Sequence, residues 1–200
     1  MQLAYVRDVI IETVYPLGHI AFGYLTYLFY AGMADRGLPL RWELVPLVIG
    51  TQFPDLIDKP LAFYMILESG RSFAHSIFVL PLFCLIVVWL GRYVGRETAG
   101  GHWHHRLLVT APSAFTTGYV THLLGDISDI VLSGALLNSR FLLWPLLTVP
   151  RYPGDNTAPW IRLLNLYQHP TTHPQIELIL IAAAVFVFLR VRDRTHLSDA

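Results

Sequence analysis

The sequence predicts an all-α fold: a polytopic membrane helix bundle of about five spans, with short interfacial or re-entrant helices. Three observations predict it. Of the 200 residues, 54% are hydrophobic and only 14% charged, whereas a soluble domain carries about 25% charged residues. Mean hydropathy is +0.49. Several uncharged runs approach the ~20 residues that a helix needs to cross ~30 Å of hydrocarbon at ~1.5 Å per residue.

The elements follow in order. The start, "MQLAYVRDVIIETVYP", lacks a basic opening, a compact apolar stretch and a small-residue cleavage site, so it does not read as a cleaved signal peptide. Residues 14–34 form the first uncharged run and 44–54 a shorter one that spans poorly alone. Residues 72–91 and 107–125 are two further spans, while 130–138 and 141–149 suit interfacial or re-entrant pieces. An outer loop over 151–173 leads to a final helix over 174–190, whose apolar part is 178–189. No repeat or low-complexity linker divides the chain, so residues 1–200 read as a single integral-membrane helical domain. The net charge of +0 offers no basic surface for nucleic acid, which leaves the lipid bilayer as the expected partner. Cys84 is the single cysteine, so no intrachain disulfide is available.

Basic residues set the orientation. Arg36, Arg41, Arg92, Arg96, Arg106, Arg190, Arg192 and Arg194 follow or separate the long runs on one side, which is assigned to the cytoplasm. A short helix within 42–53 must then carry the chain back between the first two long spans. The N-terminus falls outside and the C-terminus in the cytoplasm.

That orientation brings the polar residues to one extracytoplasmic face. His19 lies near the outer end of the first helix. Asp55 and Asp58, in "GTQFPDLIDKP", follow the short helix. In "GRSFAHS", Ser72 suits an N-cap and places His75 in the first turn of the next helix. "THLLGD" sets His122 and Asp126 at i and i+4, on one helix face with Cβ atoms about 5–6 Å apart. Imidazole and carboxylate together suit zinc or another first-row divalent ion. A carboxylate near the membrane centre costs roughly 2.5–3.5 kcal/mol on insertion scales. A cation cancels that penalty and the repulsion between acids, and it lowers the pKa of bound water towards ~7. Asp55 or Asp58 then suits the role of base, and Arg71, on the same face, suits a substrate phosphate or carboxylate or, equally, a plain interfacial anchor.

Each residue also has a structural reading. A single histidine near a helix end commonly sits at the interface. Asp55 and Asp58 can cap a helix or pair with Lys59, and His122 with Asp126 can be a hydrogen-bonded pair. Their joint arrival at one face favours a shared site. "HWHH", 102–105, reads as a solvated cytoplasmic loop. His169 and His173 in "YQHPTTHP" reach the outer side, but prolines interrupt that segment. Trp144 and Pro145 in "FLLWPLL" read as an interfacial anchor.

Taken in order, "GHIAFGYL", "GTQFPDLIDKP", "GRSFAHSIF", "GYVTHLLGD" and "FLLWPL" resemble the membrane-bound metal-dependent hydrolases. This family includes LexA-regulated inner-membrane hydrolases of bacteria and archaeal relatives. The likeness covers roughly residues 17–147 and is strongest to the archaeal branch. It implies an integral membrane protein with metal-dependent hydrolase activity, distantly similar to helical zinc-dependent phospholipase C enzymes. By motif, the metal ligands would be His19, Asp55, His75, His122 and Asp126, with Asp58 as ligand or base, around one or two divalent ions. The reaction expected is attack of metal-activated water on an ester, a phosphoester of a lipid or lipid-linked substrate ahead of others. Two other classes stay open. A transporter or proton pathway would also use intramembrane His and Asp, but the runs 24–30 and 83–89 offer few polar groups for a continuous path. A non-catalytic scaffold would use the metal only to staple helices.

Overall fold

The structure, a computed structural model, describes residues 16–34, 39, 41–97, 102–132, 134–151, 153–161, 164 and 175–198. Among the described residues the main helices are α1 (Pro16–Met33), α2 (Leu44–Phe63), α3 (Leu80–Glu97), α4 (His102–Leu132) and α5 (Gln175–Ser198). A 3-10 turn, Arg41–Glu43, leads into α2, and two more span Leu136–Leu143 and Pro153–Asn156. No strand occurs among the described residues, in keeping with the all-α expectation.

α1 opens on Pro16, whose fixed φ suits the first helical position. α2 and α4 form the central pair. A Cβ on Gly50 would lie 2.2 Å from the Phe115 carbonyl oxygen, and one on Gly118 would lie 2.4 Å from that of Leu47. Only glycine lets the two backbones come this close. One apolar cluster joins Tyr24 and Tyr27 of α1, Leu47 of α2, Ala114 of α4 and Ala182 of α5. A second joins Phe115, Tyr119 and Leu123 of α4 with Phe53 of α2 and Phe83 of α3. A third, Ile130, Phe141 and Val149, holds the Leu136–Leu143 turn against the end of α4. The Trp144–Pro145 peptide bond is cis.

Three expectations about elements are corrected. The short helix does not stop at Pro54: α2 continues to Phe63 with Pro54 and Pro60 inside it, so Asp55 and Asp58 are helical residues. Proline tends to break a helix interior, but here packing against α4 and α1 holds the segment. The run 72–91 is not one helix. Residues 64–79 are irregular and α3 begins only at Leu80. Ser72 is therefore not an N-cap; its backbone N–H donates to Asp58 (2.8 Å) and its hydroxyl to the Ser69 carbonyl (2.9 Å). The "HWHH" stretch is the first turn of α4 rather than a loop. Residues 1–15, Arg36, His169 and His173 lie outside the described residues.

Among the described residues no helix is long and apolar enough to cross a membrane. The reason is visible in three of them. The irregular start of 72–91 leaves only 80–91 apolar before Arg92, α2 carries Gln52, Asp55, Asp58 and Lys59, and glycine, histidine and tyrosine interrupt α1. The outer faces are nonetheless apolar: Leu82, Leu85, Trp89, Leu90 and Tyr93 of α3 are all exposed. Such a continuous exposed apolar face marks a surface that meets lipid or another protein.

Candidate metal centre

The bundle buries an unusual set of polar groups. α1 supplies His19, α2 Asp55 and Asp58, the irregular segment Arg71 and His75, and α4 His122 and Asp126. His75, His122 and Asp58 are 0% exposed and His19 and Asp126 only 2%. The sequence-predicted residues therefore do converge, and the question is how their atoms are arranged.

His122 is held by its Nδ1, which lies 2.7 Å from the Thr51 carbonyl oxygen. A carbonyl only accepts, so Nδ1–H donates and Nε2 keeps a lone pair. His75 Nδ1 donates likewise to Asp58 Oδ2 at 2.8 Å. Both imidazoles thus aim Nε2 inward, and the two Nε2 atoms are 3.2 Å apart. In the neutral rings these lone pairs face each other and repel. A positive charge, a proton or a metal cation, belongs between them. The His75 side chain, outside the helices, shows the same preference. Burial alone would lower its pKa, but its contacts with Asp55 and Asp58 outweigh burial and raise it to about 9.

The carboxylates complete the picture. Asp55 Oδ1 lies 3.4 Å from His75 Nε2 and 3.8 Å from His122 Nε2. Asp126 Oδ2 lies 3.4 Å and 3.7 Å from the same atoms. Asp126 Oδ2 is buried and has no hydrogen-bond partner among the described residues, an expensive state for a carboxylate unless a cation meets it. Two overlapping trios, Asp55 with His75 and His122, and His19 with His122 and Asp126, bring one ligand atom each to within 4.8 Å of one another. These buried groups can hold a metal ion. His19 stacks on His122, ring centroids 4.0 Å apart. Gly125 leaves room for that ring, since a Cβ there would sit 3.0 Å from His19 Nδ1.

Asp58 stands in neither trio. It accepts backbone N–H bonds from Ser72 (2.8 Å), Ala74 (2.8 Å) and His75 (3.3 Å) besides the His75 ring. Its carboxylate shapes the loop and fixes the His75 tautomer, as outer-sphere carboxylates do at metal-binding histidines. Sequence reasoning treated it as a ligand or base because its spacing from Asp55 is the same whether it faces inward or towards the loop. Tyr119, one turn before His122, donates to the Ala74 carbonyl at 2.5 Å, and Ser76 donates to the Trp144 carbonyl at 2.5 Å. Neither was foreseen, although the i, i+3 spacing of Tyr119 and His122 puts both on one face. Lys59 pairs with Asp55 Oδ2, the pairing weighed from sequence, while Arg71 reaches Asp126 Oδ1 at 3.3 Å.

Fold and site together define an all-helical protein whose buried His/Asp centre is suited to a metal cation. The family model for the YdjM inner membrane protein matches residues 15–197. The chain belongs to that family, and its environment is accordingly the inner membrane. No curated protein and no solved structure matches it.

Proposed function

We propose that this protein is a membrane-bound metal-dependent hydrolase of the kind its motifs resemble, cleaving an ester, with a lipid or lipid-linked phosphoester first among substrates. The observation that carries the reading is the pair of inward Nε2 atoms 3.2 Å apart, flanked by the unpartnered Asp126 Oδ2. Nitrogen and oxygen donors in that combination suit zinc. When bound, such an ion acidifies water in its shell and polarises an ester oxygen.

The chain's own residues divide the remaining tasks. His75, His122, Asp55 and Asp126 hold the cation, and Thr51 and Asp58 hold the two imidazoles in the tautomer that exposes Nε2. Asp55 is the most open of the carboxylates, 13% exposed against 2% for Asp126. Lys59 and Arg71, 23% and 12% exposed, suit the negative charge of a phosphoester. The exposed apolar residues that follow Asp55 in the chain, Leu56, Tyr64, Met65 and Ile66, suit an acyl or isoprenoid tail. We place the centre on the extracytoplasmic side of a multi-pass arrangement, with the C-terminus in the cytoplasm, on the arginine distribution alone.

The test is elemental analysis of detergent-purified protein beside His122→Ala and Asp55→Ala, with turnover of a phosphodiester and carboxylester panel. The expected result is stoichiometric metal and hydrolysis in the wild type, both lost in the variants, with helicity retained. Metal-free wild-type protein would end the proposal. Metal without turnover of any ester would leave a helix-stapling scaffold in its place.

A further inference from the structure

We infer that the centre is mononuclear: Asp55 Oδ1, His75 Nε2, His122 Nε2 and Asp126 Oδ2 take one divalent cation, and Lys59 and Arg71 exclude a second. The inference rests on the metal-dependent reading above and deepens it.

The two trios that can hold an ion share His122. That histidine has a single nitrogen to offer, because Nδ1–H is committed to the Thr51 carbonyl at 2.7 Å. The trios are therefore alternatives around one point and not two independent sites. His75 is limited in the same way by Asp58.

The carboxylates repeat the pattern with charge. Each turns one oxygen inward and gives the other to a fixed cation. Asp55 Oδ1 faces the two Nε2 atoms at 3.4 and 3.8 Å, while its Oδ2 is held by Lys59. Asp126 Oδ2 faces them at 3.4 and 3.7 Å, while its Oδ1 is held by Arg71 at 3.3 Å. Two inward carboxylate charges balance one divalent ion. A second ion would have to use the outer oxygens, where a primary ammonium and a guanidinium already sit. Repulsion between like charges at such distances is strong when water is scarce.

His19 is then not a ligand of that ion. Its Nε2 lies 3.6 Å from Asp126 Oδ1, the oxygen that Arg71 holds, and its ring lies flat on His122. It is a positioning residue that buttresses the His122 ring. With Arg71 removed, Asp126 Oδ1 and His19 Nε2, 3.6 Å apart, become free donors for a second ion, and with Lys59 removed Asp55 Oδ2 is freed as well.

The experiment is a Co²⁺ titration of chelator-stripped, detergent-solubilised protein, read by elemental analysis and the visible absorption of bound cobalt. Wild type saturates at one equivalent. Lys59→Gln/Arg71→Gln takes up a second, weaker equivalent, and Lys59→Arg with Arg71→Lys returns to one. His19→Ala keeps one equivalent, bound more weakly, while His75→Ala loses it. Two equivalents in the wild type, a charge-removed variant that stays at one, or cobalt lost in His19→Ala would each overturn the inference and leave the metal reading standing. No cobalt at all in the wild type would overturn the metal reading itself. If the double variant does not fold, each single Gln variant is titrated instead. A second equivalent in either supports the inference, and one equivalent in both overturns it.

Discussion

Replacing Asp58 by Asn is the sharpest probe of how the centre is built. The two side chains are nearly the same size, so packing in that fully buried position is unchanged. The carboxylate, however, accepts four hydrogen bonds: from the backbone of Ser72, Ala74 and His75, and from His75 Nδ1–H. An amide offers one oxygen and one NH₂. The least costly orientation keeps the oxygen towards Ser72 and His75 and turns the NH₂ on the Ala74 N–H, leaving two donors facing each other. A hydrogen bond to a charged group contributes ~1.5–3 kcal/mol and a buried orphan donor costs ~1–3 kcal/mol. Loss of one charged bond together with the orphaned donor comes to about 2.5–6 kcal/mol of stability. Metal affinity should fall with it by roughly 10- to 100-fold, the usual effect of removing a carboxylate behind a metal-binding histidine. Thermal unfolding in detergent and a Co²⁺ titration measure the two. Unchanged melting together with metal affinity within twofold of wild type would refute the reasoning, because His75 would then owe its orientation to something other than Asp58.

Two further outcomes follow from the same structure. Gly50→Ala should destabilise by about 1–3 kcal/mol, the range of overpacking, since the new methyl carbon would meet the Phe115 carbonyl at 2.2 Å; a chemical-denaturation midpoint equal to that of the wild type would show that α2 and α4 are not in contact there. Metal affinity should rise with pH: the metal-free His75 is protonated below about 9, and a cation must displace that proton. The gain is up to tenfold per unit for one proton displaced, levelling off above that pH, and a flat affinity profile between pH 6 and 8 would show that His75 is not a ligand.

The amphiphilic pattern of the chain was enough to foresee the convergence of the centre. The helical spacing of "THLLGD" puts His122 and Asp126 on one face wherever the helix ends, and α4 bears this out over a longer span than expected. The arrival of His19, Asp55 and His75 at the same place followed from asking which end of each apolar run carried its polar residue. The irregular start of the 72–91 run was not legible, because "SFAHSIFVLPLFCLIVVWLG" is an uncharged run of helical length throughout. Its first turns are diverted by three N–H groups that converge on Asp58, and that acceptor lies on another element. The role of Lys59 was half visible: its i, i+4 pairing with Asp55 follows from spacing, but the inward turn of the other Asp55 oxygen does not.

The sequence by itself determined the helical class, the apolar exterior and the residues that meet at the centre, because these depend on composition and on periodicities along the chain. Only the tertiary structure decided which atom of each residue faces inward. That choice is made by partners distant in sequence, the Thr51 carbonyl for His122 and the Asp58 carboxylate for His75, and a hydrogen bond between separate helices leaves no trace in the spacing of either one.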